Sequence, residues 1–173
     1  GSYFMDIMQT IYQRQAVRNF SDKQVPTKDL QDIMDAGQAG PVGMGEYEKF
    51  HFTLLTNPGA IKQVEADSVS NPYYGAPAVI IISAQKQDSS VGSMECVSAG
   101  AMVENMALAA TGKNLASCVI MGALIPLSKD DDLLSRLQIP AVFAPVISLA
   151  VGYPAESISK PTKGRHEVTQ TII

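Results

Sequence analysis

The chain has 173 residues, of which 46% are hydrophobic, 17% charged and 6% aromatic, with no tryptophan. This is enough apolar material for a single globular domain over residues 3–173 with a real core, and it excludes intrinsic disorder. A formal net charge of −4 offers no bulk positive field for nucleic acid or an anionic membrane, and charge content falls below the ~25% usual in soluble proteins, so part of the surface is expected to bury itself against another subunit.

In chain order, Ile7, Met8, Ile11 and Tyr12 form the stripe of an amphipathic helix that runs into Arg14. A second helix is expected from Pro26-Thr27, with Thr27 as N-cap, to a stop at Gly37, followed by an irregular loop over Gly40-Pro41-Val42-Gly43-Met44-Gly45. Phe50 to Thr56 reads as a strand, Pro58 to Ala66 as a short helix and Asp67 to Gly75 as a loop. Pro77 to Ala84 is apolar on both alternating faces, which marks the centre of a sheet covered on both sides. It is also far too short to span a bilayer, and no basic region followed by a hydrophobic stretch opens the chain, so the cytoplasm is the expected location. A long helix rich in alanine and glycine follows over Ser93 to Thr111, where subunits are expected to meet. Cys118 to Met121 is a short buried strand, Met121-Gly122-Ala123 a turn, Lys129 to Leu137 a helix, Ala144 to Val151 a strand, and the tail from Tyr153 extended and polar. The expected fold is an α+β sandwich with a central mixed, mainly antiparallel sheet flanked by helices. Cys96 and Cys118 show neither CxxC nor Cys/His ligand spacing and are expected to be buried free thiols rather than metal ligands.

Few residues carry chemistry outright. Arg14-Gln15-Ala16-Val17-Arg18 is the densest cationic cluster, and in an extended conformation residues 14, 16 and 18 face one way, so that two guanidinium groups converge on one anion. Lys160, Lys163, Arg165 and His166 form a second basic group. Solvated surface charge and a grip on a phosphate both accommodate these clusters. The glycine-rich loop at 40–45 matches neither GxGxxG nor the P-loop pattern, and His51 lies between Phe50 and Phe52 in a strand, where a structural role is the ordinary one. Asp130-Asp131-Asp132 reads as a helix start. A serine-centred G-x-S-x-G, an HExxH and a ligand-spaced carboxylate cluster are all missing, so an enzyme built on this chain borrows its chemistry from a cofactor.

Taken in order, these segments resemble the FMN-dependent nitroreductase family. The resemblance rests on Arg14-Gln15-Ala16-Val17-Arg18-Asn19-Phe20, the helix start at Pro26-Thr27, the loop Ala39-Gly40-Pro41, Gly75-Ala76-Pro77-Ala78 before the central strand, Asn105 to Ala110 in the long helix, the Gly122 turn and Lys163-Gly164-Arg165. It implies an intertwined homodimer with FMN in two interface clefts, reduced by NAD(P)H and reoxidised by a nitroaromatic, quinone or other acceptor in ping-pong fashion. The cofactor contacts it implies come from Arg14, Gln15, Ala16, Arg18, Asn71, Ile120, Met121, Gly122, Lys163 and Arg165, with Pro41, Val42 and Gly43 reaching in from the other subunit. Arg14, Lys163 and Arg165 would hold the phosphate, Arg18 the N1 and O2 edge of the ring, Asn71 the pyrimidine edge, and the backbone at 120–122 would supply a donor to N5.

The sequence departs from the family pattern at Ala16, where serine is common, and over Val42 to Phe50, which replaces S-x-x-N-x-Q-P-W. The stretch Gln85 to Ser93 is too short for the helices that often roof the cleft. A flavin reductase or dehalogenase, a flavin-binding sensor or store without efficient turnover, and a binder of some other phosphate ligand are the competing readings.

Overall fold

A computed structural model describes residues 6–68, 70–164 and 166–173. Helix α1 (Ile7–Gln13) begins where the Asp6 carboxylate accepts the Gln9 N–H at 2.9 Å, and it ends at Arg14, whose φ of −57° and ψ of 129° turn the chain extended. Helix α2 (Thr27–Gln38) departs from expectation at both ends. Pro26 occupies the cap position, Thr27 is already helical, and no side chain caps the start. Gly37 does not stop the helix. It is buried within it, and a Cβ there would collide with the Met106 side chain, so the missing side chain serves helix–helix approach.

Strand β1 (Phe50–Leu55) leads to α3 (Pro58–Ala66), where Asn57 caps the N–H groups of Gly59 and Ala60 at 2.8 and 3.3 Å, with proline at the first helical position. Strand β2 (Ala78–Gln87) turns through Asp88, at φ 58°, into the two-residue strand β3 (Ser90–Val91) and then directly into α4 (Ser93–Gly112). A tight hairpin therefore stands where roofing helices had no room. Strand β4 (Ala116–Ile120) is followed by α5 (Leu124–Leu127), which falls between the expected turn at 121–123 and the helix expected from Lys129, and by α6 (Asp131–Arg136). Helix α6 is shorter than the expected 129–137. Asp130 caps it by accepting the Leu133 N–H at 3.0 Å, which gives the acidic run its helix-start role. Strand β5 (Phe143–Gly152) completes the order.

The sheet runs β1-β2-β5-β4 with antiparallel neighbours throughout, β3 pairing off β2. The one parallel pairing among the described residues is the bridge from Ala16 to Ser117. Strand β2 lies in the middle, and Val79, Ile80, Ile81 and Ile82 are fully buried, each burial worth about 1.5–3 kcal/mol. Its alternate side chains serve two cores. Ile80 and Ile82 join Leu30, Ile33, Met102 and Met106 beneath α2 and α4, while Val79 and Ile81 join Val64, Tyr73, Leu127 and Leu133 beneath α3, α5 and α6. The result is the expected α+β sandwich. Of the two thiols only Cys118 is buried; Cys96 is exposed on α4, a correction that follows from its place on that helix's outer side.

Candidate functional site

Beyond α1 the chain from Arg14 to Phe20 runs along the edge of β4. Val17 donates its N–H to the Ser117 carbonyl at 2.9 Å, and the neighbouring bridge at Ala16 fixes the alternation. Val17 points inward and is buried, whereas Ala16 and Arg18 are exposed. Arg14 and Arg18 both act electrostatically on the Cys118 thiol of β4, lowering a pKa that burial, the larger effect, pushes up. Both guanidinium groups therefore lie within electrostatic reach of one thiol on β4. Arg14 also pairs with Glu104 of α4 at 3.4 Å, and the half-exposed Glu104 still has its carboxyl pKa raised, since burial outweighs the arginine's attraction. Gln15 belongs to the opposite side. Its side-chain amide donates to the Ser159 carbonyl, and with Gln13, Ser117, Ser157 and Lys160 it lines a cavity of about 250 Å³ behind the arginine segment.

The loop carrying Asn71 is tied to the same place. Asn71 is exposed, its carbonyl accepts the Tyr74 N–H at 3.3 Å, and left-handed backbone at Tyr74 (φ 54°) and Gly75 (φ 80°) turns the chain toward β2. Phe20 donates its N–H to the Tyr74 carbonyl at 3.3 Å, which joins this loop to the arginine segment. Tyr73, between them, is fully buried, its hydroxyl 3.1 Å from the Ser148 hydroxyl of β5, and Ser148 donates at 2.6 Å to the Ile120 carbonyl at the end of β4. Burial pushes the Tyr73 phenol up to about 12 despite the Ser148 hydrogen bond. Beyond Ile120, Met121 and Gly122 are exposed, and nothing lies within 4 Å of where a Cβ of Gly122 would stand.

Three stretches, 14–20, 71–75 and 120–122, therefore meet through named hydrogen bonds. Sequence reasoning named residues in all three stretches, Arg14 to Arg18, Asn71 and Ile120 to Gly122, but missed Ser148 and Tyr73. The available signal was a single serine inside the otherwise apolar run of Ala144 to Val151.

Pro41, Val42 and Gly43 are not brought to this place within one chain. They form a groove of about 580 Å³ with Met94, Val97 and Ala101 at the start of α4, where Gly43 donates its N–H to the Ser98 hydroxyl at 2.9 Å. Lys163 lies exposed on the tail, and Arg165 lies outside the described residues. The tail itself runs beside the arginine segment as far as residue 160: Ser21 donates to the Tyr153 carbonyl at 2.9 Å, Ala155 to the Asn19 carbonyl at 3.0 Å, and Lys160 reaches the cavity behind Gln15. His51 stacks on Phe143 with ring centres 5.5 Å apart, the structural role expected of it. Among the described residues no helix is long and apolar enough to cross a membrane.

A nitroreductase from Bacteroides fragilis, solved with bound FMN, is 29% identical to this protein, with 98% of this chain and all of that one covered and a TM-score of 0.81. A second FMN-bound nitroreductase, from Desulfitobacterium hafniense, is 19% identical over 97% of this chain and all of its own at the same TM-score of 0.81, a likeness of fold. A protein described as "Putative NADH dehydrogenase/NAD(P)H nitroreductase" from Methanothermobacter thermautotrophicus is 25% identical over 88% of this chain and 80% of its own length. One of the same description from Archaeoglobus fulgidus is 26% identical over 87% of each. The family profile described as "Putative TM nitroreductase" matches residues 6–172, nearly the whole chain, and the protein belongs to the nitroreductase family of oxidoreductases.

Proposed function

We propose that this protein is a homodimeric, FMN-dependent oxidoreductase that takes hydride from NADH or NADPH and passes the electrons to a nitroaromatic, a quinone or another oxidised acceptor. The observation that carries the reading is the meeting of three segments: the arginine segment bonded to Ser117 and Tyr74, and the Asn71 loop bonded through Tyr73 and Ser148 to Ile120. Two arginines that both act on the Cys118 thiol, an exposed residue at Asn71 and bare backbone at Gly122 fit a phosphate ester attached to a flat ring with polar edges. The FMN in the Bacteroides fragilis relative supports the choice among such esters.

When bound, FMN would supply the two-electron chemistry between the nicotinamide and the acceptor. The chain's own residues bind and orient it. Arg14 holds the phosphate through forked, charge-assisted hydrogen bonds, joined by Lys163 and Arg165 of the tail. Arg18 sits at the N1 and O2 edge, where a fixed positive charge favours the reduced ring. Asn71 hydrogen-bonds the pyrimidine edge, and the backbone of Ile120, Met121 and Gly122 lies against the ring with a donor for N5. Ala16 and the backbone of Gln15 complete the wall on the side of β4. Pro41, Val42 and Gly43 close the cleft from the second copy, which is why one chain leaves them apart from the arginines. The short hairpin between β2 and α4 leaves the ring's outer face open to acceptors of varied shape.

Titration of the purified protein with FMN, followed by anaerobic mixing with each nicotinamide, tests this. We expect a yellow holoprotein that NADH or NADPH bleaches and an oxidised acceptor restores. In Arg14→Ala, FMN affinity falls about 10- to 100-fold, the scale of one charge-assisted hydrogen bond. In Arg18→Ala, FMN is largely retained but reduction slows about tenfold or more. A protein that neither gains colour nor melts higher with FMN is not a flavoprotein. One that is yellow but bleached by neither nicotinamide is a flavin store or sensor.

A further inference from the structure

We infer that Ser148 and Tyr73 are positioning residues that set the direction of the peptide between Ile120 and Met121, and so aim the Met121 N–H at the bound ring; the inference rests on the flavin reading above.

A serine hydroxyl has one hydrogen, and in Ser148 it is spent on the Ile120 carbonyl at 2.6 Å. The contact of 3.1 Å with Tyr73 must then run from the phenol to the serine oxygen. The two bonds form one directed chain, phenol to hydroxyl to carbonyl, inside the protein, where each bond polarises the next and water does not compete. Both side chains are fully buried. The phenol stays protonated, and remains a donor, through the whole neutral range, since burial lifts it to about 12.

The consequence lies on the other side of the same peptide. The peptide is planar and, like every described one, trans, so the N–H of Met121 points opposite to the carbonyl of Ile120. Strand alternation gives the same direction independently. The Ser117 carbonyl faces the arginine segment, where it accepts from Val17, so the backbone groups of residues 119 and 121 face that edge too, while Ile120 faces its partner Ser148 in β5. The Met121 N–H therefore projects toward the edge of β4 that Arg14 to Arg18 flanks, next to the open space at Gly122. The far end of the chain, Tyr73, sits two residues from Asn71, so one buried relay fixes two of the segments assigned to the ring relative to each other.

The test uses the full chain loaded with FMN, comparing wild type with Ser148→Ala, Ser148→Thr and Tyr73→Phe. Four quantities are read: melting temperature, FMN dissociation constant, the rate of reduction at saturating nicotinamide, and the FMN-induced shift of the Met121 amide proton in nitrogen-15 spectra. In Ser148→Ala we expect FMN affinity to change less than about threefold, while reduction slows about tenfold or more and the Met121 shift collapses, other FMN-induced shifts remaining. Ser148→Thr, which keeps the hydroxyl, restores the shift. Tyr73→Phe gives the same changes at smaller size and carries the test if Ser148→Ala fails to fold. The inference is overturned if the variants bind FMN and keep both the Met121 shift and the reduction rate within twofold of wild type. It is also overturned if rate and affinity fall together in proportion to lost melting temperature, the pattern of a merely structural bond. Failure of wild type itself to bind FMN would instead remove the flavin reading on which all of this stands.

Discussion

The inner face of α4 puts Ala99, Met102, Val103, Met106, Ala107 and Ala110 into the core beneath β2, whereas its outer face shows Val97 at 75% exposure, Met94 at 52%, and Gly100 with open space around it. The two faces have nearly the same composition, and a helix apolar all round is ordinarily buried all round. A second exposed apolar stripe, Ile7, Met8 and Ile11 of α1, belongs to a helix that packs on α4. The contrast teaches where a single chain stops being sufficient. One face closes the fold, and the other, with the groove at Pro41, Val42 and Gly43, awaits a second copy in the dimer we propose.

The sharpest way to break this comparison is to place a charge on each face in turn. Ala107→Glu buries a carboxylate with no partner and is expected to remove most of the stability of a domain of this size, leaving no cooperative transition in urea. Val97→Glu is expected to keep the fold, with unfolding free energy within about 0.5 kcal/mol once assembly is allowed for, yet to convert a dimer to a monomer in sedimentation and release FMN in step. If Val97→Glu stays dimeric, the outer face is not where the copies meet.

Smaller changes sharpen the account of the inner face. Gly37→Ala pushes a methyl into the Met106 side chain where α2 crosses α4, and should cost about 1–3 kcal/mol by the midpoint of urea unfolding, whereas Gly100→Ala, with nothing nearby in one chain, should cost nothing in the monomer. The smallest effect concerns Lys113, which anchors the end of α4 to α2 through Asp32 at 2.8 Å and Asp29 at 3.1 Å. Lys113, and then Lys28, hold the Asp32 carboxyl below its ordinary value of 3.8. Its stabilisation is therefore complete above pH 3.8 and disappears as pH falls through the lowered folded value. Asp32→Asn should melt lower than wild type at neutral pH, and the difference should vanish in acid, measured by thermal scans across pH.

Much of this was written in local pattern. The chain turns extended at Arg14, where α1 ends, as the spacing of the arginines at 14 and 18 required, and the doubly apolar run of β2 emerged in the centre of the sheet. Other expectations failed for reasons that lie outside the local sequence. Gly37 looks like a helix stop until Met106, far away in the chain, takes the space above it. The four residues of α5, with Pro126 among them, are too few for periodicity to register. Cys96 follows the same small-residue pattern as its buried neighbours and differs only in the side of α4 on which it falls.

The amino-acid order by itself determined most of the longer elements, the burial of β2 and the cationic cluster at Arg14 and Arg18, because these depend on side-chain periodicity and charge within a few residues. Only the tertiary structure decided that Val17 would dock on Ser117, that Phe20 would reach Tyr74, and that a tyrosine, a serine and a carbonyl from three distant segments would align. Hydrogen bonds across such separations leave no periodic trace. They exist because the sheet places β4 beside β5 in a register that puts Ser148 opposite Ile120, and a one-residue slip would turn that hydroxyl to the other face.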